Sequence, residues 1–363
     1  MPHLYVDISS HGFGHIAQTA PVLNELRRRI SGLRLTVRSG APQEILASRI
    51  EGKFAYIPDA TDFGMRMENA VTVRLEESAA AYAAFHHGWA ARVADEAARL
   101  AELAPDLVLA NVSYLALAAA ARAGIPAVAM SSLNWADIYR HYFGGRPESA
   151  EVHGQMLEAY NSAEWFLRLT PGMAMADLYR LRPIGTIARH GENRRVEIDA
   201  ALGLAPEDKL VLIAMGGVAM RLPMEDWPRI PGVRWLVQES WDVRHPDAFP
   251  LERLDLHFTD LLRSSDALLT KPGYGSFAEA AVNGVPVLYL SRPDWPEEPC
   301  LVEWLTAHGR CLEVERRRLE SGEIAEDLNT LWSRPPPEPV VADGAEQAAE
   351  ILATRVQGSD EFD

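Results

Sequence analysis

The sequence predicts an α/β protein of two doubly wound, Rossmann-like parallel-sheet domains, and three observations carry that expectation. Short apolar runs alternate with segments of helical periodicity along most of the chain. The alternation begins at Leu4-Tyr5-Val6-Asp7-Ile8 and restarts at Lys209-Leu-Val-Leu-Ile-Ala-Met215, on either side of a Gly-, Pro- and charge-rich stretch at 182–195. With 363 residues, each half is long enough to bury its own core. The expected division is 1–185 for an N-terminal domain, 186–343 for a C-terminal domain, and 344–363 for a last helix and tail.

Composition narrows the partners. Hydrophobic residues at 48% and charged residues at 24% fit a soluble globular protein. A net charge of −16 argues against nucleic acid or an anionic membrane surface, because both reward a basic face. Any anionic ligand must then be held by a local site. Cys300 and Cys311 are too few for a disulfide framework or a zinc site, which fits a reducing cytoplasm. No apolar run reaches transmembrane length, and the first residues read as a strand rather than a secretion signal.

In the first half, the strand Leu4–Ile8 is followed by a helix over Ala17–Arg29, with Ala20, Leu23 and Leu26 on one side. Between them lies Ser9-Ser10-His11-Gly12-Phe13-Gly14-His15. Its Gly12-Phe-Gly14-His-Ile-Ala17 spelling matches a dinucleotide fingerprint. The second strand, however, runs into Arg38-Ser39-Gly40, which offers NAD no acidic ribose partner and leaves only NADP open. Two histidines in so short a loop point to proton transfer instead, with His15 and then His11 as candidates; the competing reading is a satisfied structural histidine. The helical 76–103 segment carries Tyr82, Phe85, His86, His87 and Trp89, an aromatic stripe better read as core than as an acceptor groove. Asp106–Asn111 and Pro126–Met130 are further buried strands, and in a parallel sheet ligands gather at strand carboxyl ends. His15 and Asn111 both stand at such ends. Ser131–Tyr142 is a polar-aromatic connection suited either to a substrate rim or to packing.

In the second half, the strand Lys209–Met215 delivers Gly216-Gly217, whose backbone N–H groups suit a phosphate. Val233–Val237 is the next strand, and Leu256–Asp260, with Phe258, leads into a short helix. The most informative stretch follows. The strand Asp266–Thr270 ends in Lys271-Pro-Gly273-Tyr274-Gly275-Ser276, a helix is expected to open at Ser276, and Gly284 stops it. The glycines admit close backbone approach, the helix end presents unpaired N–H groups and Lys271 adds charge, which together make a phosphate seat. Glu279 is placed to accept hydrogen bonds from a ribose diol, unless it forms a capping box with Ser276. Glu297 and Glu298, in the loop after the next strand, could accept from sugar hydroxyls or simply form an acidic solvated loop. A Pro-rich spacer, a helix over Gly344–Val356 and a frayed tail from Gly358 to Asp363 complete the chain.

These motifs resemble the GT-B glycosyltransferases, in which two Rossmann-like domains face each other across a cleft. Thr270–Pro286 is similar to the donor-binding signature shared by MurG and the UDP-glycosyltransferases. The His-Gly-Phe-Gly-His and Lys-Pro-Gly-Tyr-Gly-Ser spellings are similar to a branch that includes the N-terminal region of plant arabinose kinases. The resemblance implies that Gly273, Tyr274, Gly275 and Ser276 hold the diphosphate, with Gly14, Gly216 and Gly217 also on the donor side. It further implies that Glu279 binds the ribose, Phe258 offers backbone to the base, and Glu297 and Glu298 touch the donor sugar. His15 becomes the general base toward the acceptor, and Arg189, in Ile184-Gly-Thr-Ile-Ala-Arg189, approaches the diphosphate. Four positions depart from the family pattern: Lys271 replaces a histidine, Glu297-Glu298 an Asp-Gln pair, and Asn111 the aspartate that orients the base.

The implied activity is metal-independent transfer of a hexosyl or N-acetylhexosaminyl group from a UDP-sugar to an unknown acceptor, with no tightly bound cofactor. No Asp-x-Asp stands where a metal would bridge the phosphates. The alternatives are a nucleotide-sugar hydrolase or epimerase, a non-catalytic sugar-nucleotide sensor, and, more distantly, an NADP oxidoreductase.

Overall fold

The computed structural model describes residues 1–217 and 220–358. The first half contributes β1 (His3–Ile8), β2 (Arg34–Arg38) and β3 (Ala55–Ile57), then a separate antiparallel hairpin of β4 (Met67–Asn69) and β5 (Thr72–Val73). It continues with β6 (Leu107–Asn111), β7 (Ala127–Ser131), β8 (Trp165–Arg168) and β9 (Leu181–Pro183). Apart from the hairpin these form a seven-stranded parallel sheet in the order β3-β2-β1-β6-β7-β8-β9. Helices cover both faces, so a central strand reads as an unbroken apolar run: Leu107, Val108, Leu109 and Ala110 of β6 are all fully buried.

The second half repeats the design with β10 (Lys209–Ala214), β11 (Val233–Val237), β12 (Ala248–Pro250), β13 (Ala267–Thr270), β14 (Val287–Tyr289) and β15 (Cys311–Glu313). They form a six-stranded parallel sheet in the order β12-β11-β10-β13-β14-β15. In both sheets the winding reverses beside the first strand, between β1 and β6 and between β10 and β13. Such a switch point opens a crevice at the strand carboxyl ends. The His15 loop and Asn111 flank one crevice, and Gly216 and Gly273 flank the other.

Three boundaries differ from the sequence reading. The segment 76–103 is two helices, Leu75–His86 and Trp89–Leu103, because Gly88 between them adopts φ +74°. The helix expected to open at Ser276 opens at Tyr274, with Gly273 at its cap. The segment read as linker from Arg182 begins inside β9, which pairs with β8 at the sheet edge. The aromatic stripe is core as expected except at His87, which is exposed: Tyr82 is buried, Phe85 and Trp89 pack against the core, and His86 is held between Gln155 and the Tyr114 hydroxyl. The tail after Gly358 lies outside the described residues.

Two close approaches bring the halves together. The first helix, Gly14–Arg29, packs against Tyr274–Val282, and a Cβ on Gly275 would stand only 3.2 Å from the Ala17 Cβ. The last helix, Gly344–Val356, returns to pack on that same first helix. There Gly344 N donates to Thr186 O at 3.0 Å and Gly185 N donates to Gln347 Oε1 at 2.9 Å. Among the described residues no helix is long and apolar enough to cross a membrane.

The docking of the last helix generates a paired test by thermal unfolding. A Cβ on Gly344 would lie 2.1 Å from the Gly185 carbonyl oxygen, so Gly344→Ala is expected to destabilise by about 1–3 kcal/mol through overpacking. Gly154, inside Ser149–Asn161, has nothing within 4 Å of such an atom. Gly154→Ala is therefore expected to stabilise by about 0.5–1 kcal/mol. Shifts of the same sign would refute the contact.

Candidate active site

The two crevices share one cavity of about 320 Å³. From the first half it takes His11, Gly14 and His15; from the second it takes Gly216, Gly217, Phe258, Lys271, Gly273, Tyr274, Gly275, Ser276, Glu279 and Glu297. Most of the residues singled out in the sequence thus converge, although they lie more than half the chain apart.

His15 sits in the first turn of the helix that begins at Gly14, and parallel register sets Ile8 of β1 beside Asn111 of β6. The strand end therefore carries Asn111 to the imidazole, and His15 Nδ1 and Asn111 Oδ1 are 2.8 Å apart. Burial lowers the His15 pKa to about 4, opposed by the Asn111 hydrogen bond, so the ring is neutral near neutral pH. His11 is also in the cavity wall, stacked on Trp295 at 5.7 Å and edge-on to Trp135 at 5.2 Å. Desolvation, with the charges of His15, Arg292 and Lys271 adding to it, lowers its pKa to about 3. Packed between two indoles, His11 shapes the wall.

On the opposite side, Lys271 follows β13 and the helix Tyr274–Val282 points its N-terminus at the cavity. Burial lowers the Lys271 pKa to about 7, with the Arg292 charge lowering it further and Glu297 and Glu298 opposing. Arg292 is itself buried and its guanidinium lies 4.4 Å over the Trp295 ring. Among the described residues neither side chain is in a salt bridge; Lys271 Nζ donates to the Pro272 carbonyl at 3.4 Å, and both groups line the cavity beside a helix N-terminus. That arrangement suits an anion.

The helix glycines divide their duties. Gly273 leaves room for Lys271, whose Nζ would stand 3.1 Å from an added Cβ, whereas Gly275 serves the approach to Ala17. Tyr274 joins the two halves through its hydroxyl, which donates to Thr170 O at 3.4 Å and accepts from Ile187 N of its own half at 2.8 Å. No capping box forms: Glu279 Oε1 instead accepts from Arg49 Nη1 at 3.0 Å, across the cleft. Its other oxygen has no donor among the described residues.

Three residues named from the sequence lie outside the main cavity wall. Asn111 stands behind His15, fully buried. Glu298 folds back on its own loop, accepting from Ser291 Oγ and Arg292 N, and so positions Arg292. Arg189 lines an adjacent cavity with His257, beyond the wall made by Ser48 and Arg49. The structure also adds residues that the sequence did not assign to the site: Arg49, Arg292, Trp295, Gln18 and Ser132, the last within the Ser131–Tyr142 connection. Arg49, Ser132, Arg292 and Trp295 come from loops and turns and Gln18 from a helix, and only tertiary packing assembles them.

No family model matches the chain. Over 350 residues it is 28% identical to the L-arabinokinase of Arabidopsis thaliana, a match covering 95% of this chain and 33% of that protein. The chain thus spans about a third of the length of that curated relative. Among solved structures it is similar to the glycotransferase of kitacinnamycin, with TM-score 0.62 and 17% identity over 98% of this chain and 95% of that one. It is also similar to Phytolacca americana UGT2 complexed with UDP-2fluoro-glucose and pterostilbene, with TM-score 0.57 and 14% identity over 99% and 95% of the two chains. A Listeria monocytogenes protein described as a UDP-N-acetylglucosamine 2-epimerase aligns with TM-score 0.55 and 14% identity over 99% and 97%. At such identities these likenesses speak to the fold, and the architecture expected from the sequence holds: the chain has the GT-B fold of the nucleotide-sugar glycosyltransferases.

Proposed function

We propose that the protein is a metal-independent glycosyltransferase that moves a sugar from a UDP-sugar to a hydroxyl acceptor. The observation that carries the reading is the facing pair in one cavity: a neutral histidine on one wall, and Lys271 and Arg292 beside a helix N-terminus on the other. The first can take a proton, and the second can hold a diphosphate.

In the proposed step His15 Nε2 accepts the acceptor hydroxyl proton as the acceptor oxygen bonds to the anomeric carbon. The bond from that carbon to the diphosphate oxygen breaks, and its electron pair leaves with UDP. Lys271, Arg292 and the N–H groups at Gly275 and Ser276 balance the charge that develops there, a task preorganised donors perform without a divalent ion. Glu279 accepts from the ribose on the oxygen Arg49 leaves open, and Phe258, at the start of the helix Phe258–Arg263, offers a free backbone N–H to the base. The donor-site assignments of Gly14, Gly216, Gly217, Gly273 and Tyr274 are part of the same reading. Arg189 would reach the diphosphate only after moving past Arg49. The fold likeness to a protein described as an epimerase favours one second reading, reaction of the donor without an acceptor.

Turnover assays with UDP-sugars, with and without an acceptor panel, separate these readings. Acceptor-dependent UDP release supports transfer; release or sugar inversion with donor alone would replace it with hydrolysis or epimerisation. His15→Ala is expected to lower kcat by about 10²- to 10⁴-fold with UDP affinity retained, as loss of a general base requires. Glu279→Ala and Lys271→Ala are each expected to weaken UDP binding by about 10- to 100-fold in calorimetric titration, the size of one charged hydrogen bond. Unchanged affinity in both would place the nucleotide elsewhere.

A further inference from the structure

We propose that Gln18, Ser132 and Glu297 are positioning residues that select the tautomer of His15, and that Glu297 makes this selection depend on contact between the two halves. The inference rests on reading His15 as the base. Its starting point is Asn111. An aspartate there could only accept and would by itself demand a proton on His15 Nδ1. An asparagine can meet the ring with either its oxygen or its nitrogen, so Asn111 alone leaves the tautomer open.

The direction comes from the far end of a buried chain of hydrogen bonds. The Glu297 carboxylate offers lone pairs only, so the Ser132 hydroxyl donates to Glu297 Oε1 at 2.6 Å. Having used its one proton, Ser132 Oγ accepts from Gln18 Nε2 at 2.8 Å. That turns Gln18 Oε1 toward Asn111, whose Nδ2 donates to it at 3.1 Å. Asn111 Oδ1 is then the atom that faces His15 Nδ1 at 2.8 Å, and the proton on Nδ1 is obligatory. Nε2 is left with its lone pair, the form a base needs.

Burial makes the logic binding. His15 and Glu297 are each 5% exposed, Gln18 is 2% exposed, and Asn111 and Ser132 are fully buried, so water does not compete for these donors. The chain also crosses between halves. Glu297 follows β14 in the second sheet and is steadied by Trp295 Nε1 at 3.2 Å, while the other four residues belong to the first half. Separation of the halves frees the Ser132 hydroxyl to turn, and the chain loses its direction. The base is thus set only when the cleft is closed, which protects a bound donor from water in the open form.

Selective ¹⁵N-histidine labelling of the full chain tests this by NMR, with the His15 signals assigned through their loss in His15→Gln. The wild type is expected to show neutral His15 with the proton on Nδ1. Glu297→Gln, which is isosteric but able to donate, and Gln18→Met are each expected to shift His15 toward the Nε2–H form while His3 and His86 signals stay in place. Asn111→Asp placed in the Gln18→Met background is expected to restore Nδ1–H. An Nε2–H wild type, or an unaltered Nδ1–H signal in both variants, would overturn the proposal. Kinetics keep the two readings apart. Active transfer with an unmoved tautomer sinks the chain of positioning residues alone, whereas a moved tautomer in a protein that never transfers sugar sinks the transferase reading alone.

Discussion

Two helix N-termini meet head-on across the cleft, and much of the structure follows from that constraint. The first helix opens at Gly14 and the second-half helix at Tyr274, and they close to contact because Gly275 presents only hydrogen to Ala17. Both ends carry unpaired backbone donors and a positive partial charge. Lys271 and Arg292 add two cations without adding a carboxylate bound to either. In a chain of net charge −16 these two side chains stand apart as basic groups without a bound carboxylate among the described residues. Burial pushes back on their charge: the Lys271 pKa falls to about 7 and that of Arg292 is lowered as well. A dianionic ligand relieves both the unpaired charges and the desolvation that disfavours them.

The same closure turns polar residues into ties between halves. Arg49 to Glu279, Ser132 to Glu297, and the Tyr274 hydroxyl to Thr170 O join the two walls at the places where ligand groups are proposed to bind. Under the proposed reading, a ribose on Glu279 would share a carboxylate with Arg49, and a sugar near Glu297 would sit beside the hydrogen-bond chain that leads to His15. Ligand binding and domain contact would then draw on the same hydrogen bonds.

Much of the fold was legible because parallel strands buried on both faces are continuous apolar runs, as in Leu107–Asn111 and Lys209–Ala214. The three-residue edge strands were not. Ala55–Ile57, Leu181–Pro183 and Ala248–Pro250 are too short and too mixed for periodicity, and their pairing is decided by the neighbouring strand. Within the site, His15, Lys271, Gly273 and Glu279 could be read because each stands at a fixed offset from a strand end. Gln18, Arg49 and Arg292 could not, since nothing local distinguishes them from surface or helix-packing residues, and Ser132 was marked only as part of the Ser131–Tyr142 connection. Gly275, read in the sequence as admitting close approach of a ligand, has a contact the sequence did not specify: its missing side chain admits another helix.

Calorimetric titration with UDP near pH 8, in the presence of EDTA and in two buffers of different ionisation enthalpy, tests the central claim most directly. Lys271 is largely neutral there in the free protein, and a bound diphosphate raises its pKa, so binding is expected to take up a proton. The account expects binding that survives EDTA and a heat that changes between buffers in the sense of proton uptake. Failure of UDP to bind, or binding that needs a divalent ion and moves no proton, would contradict it.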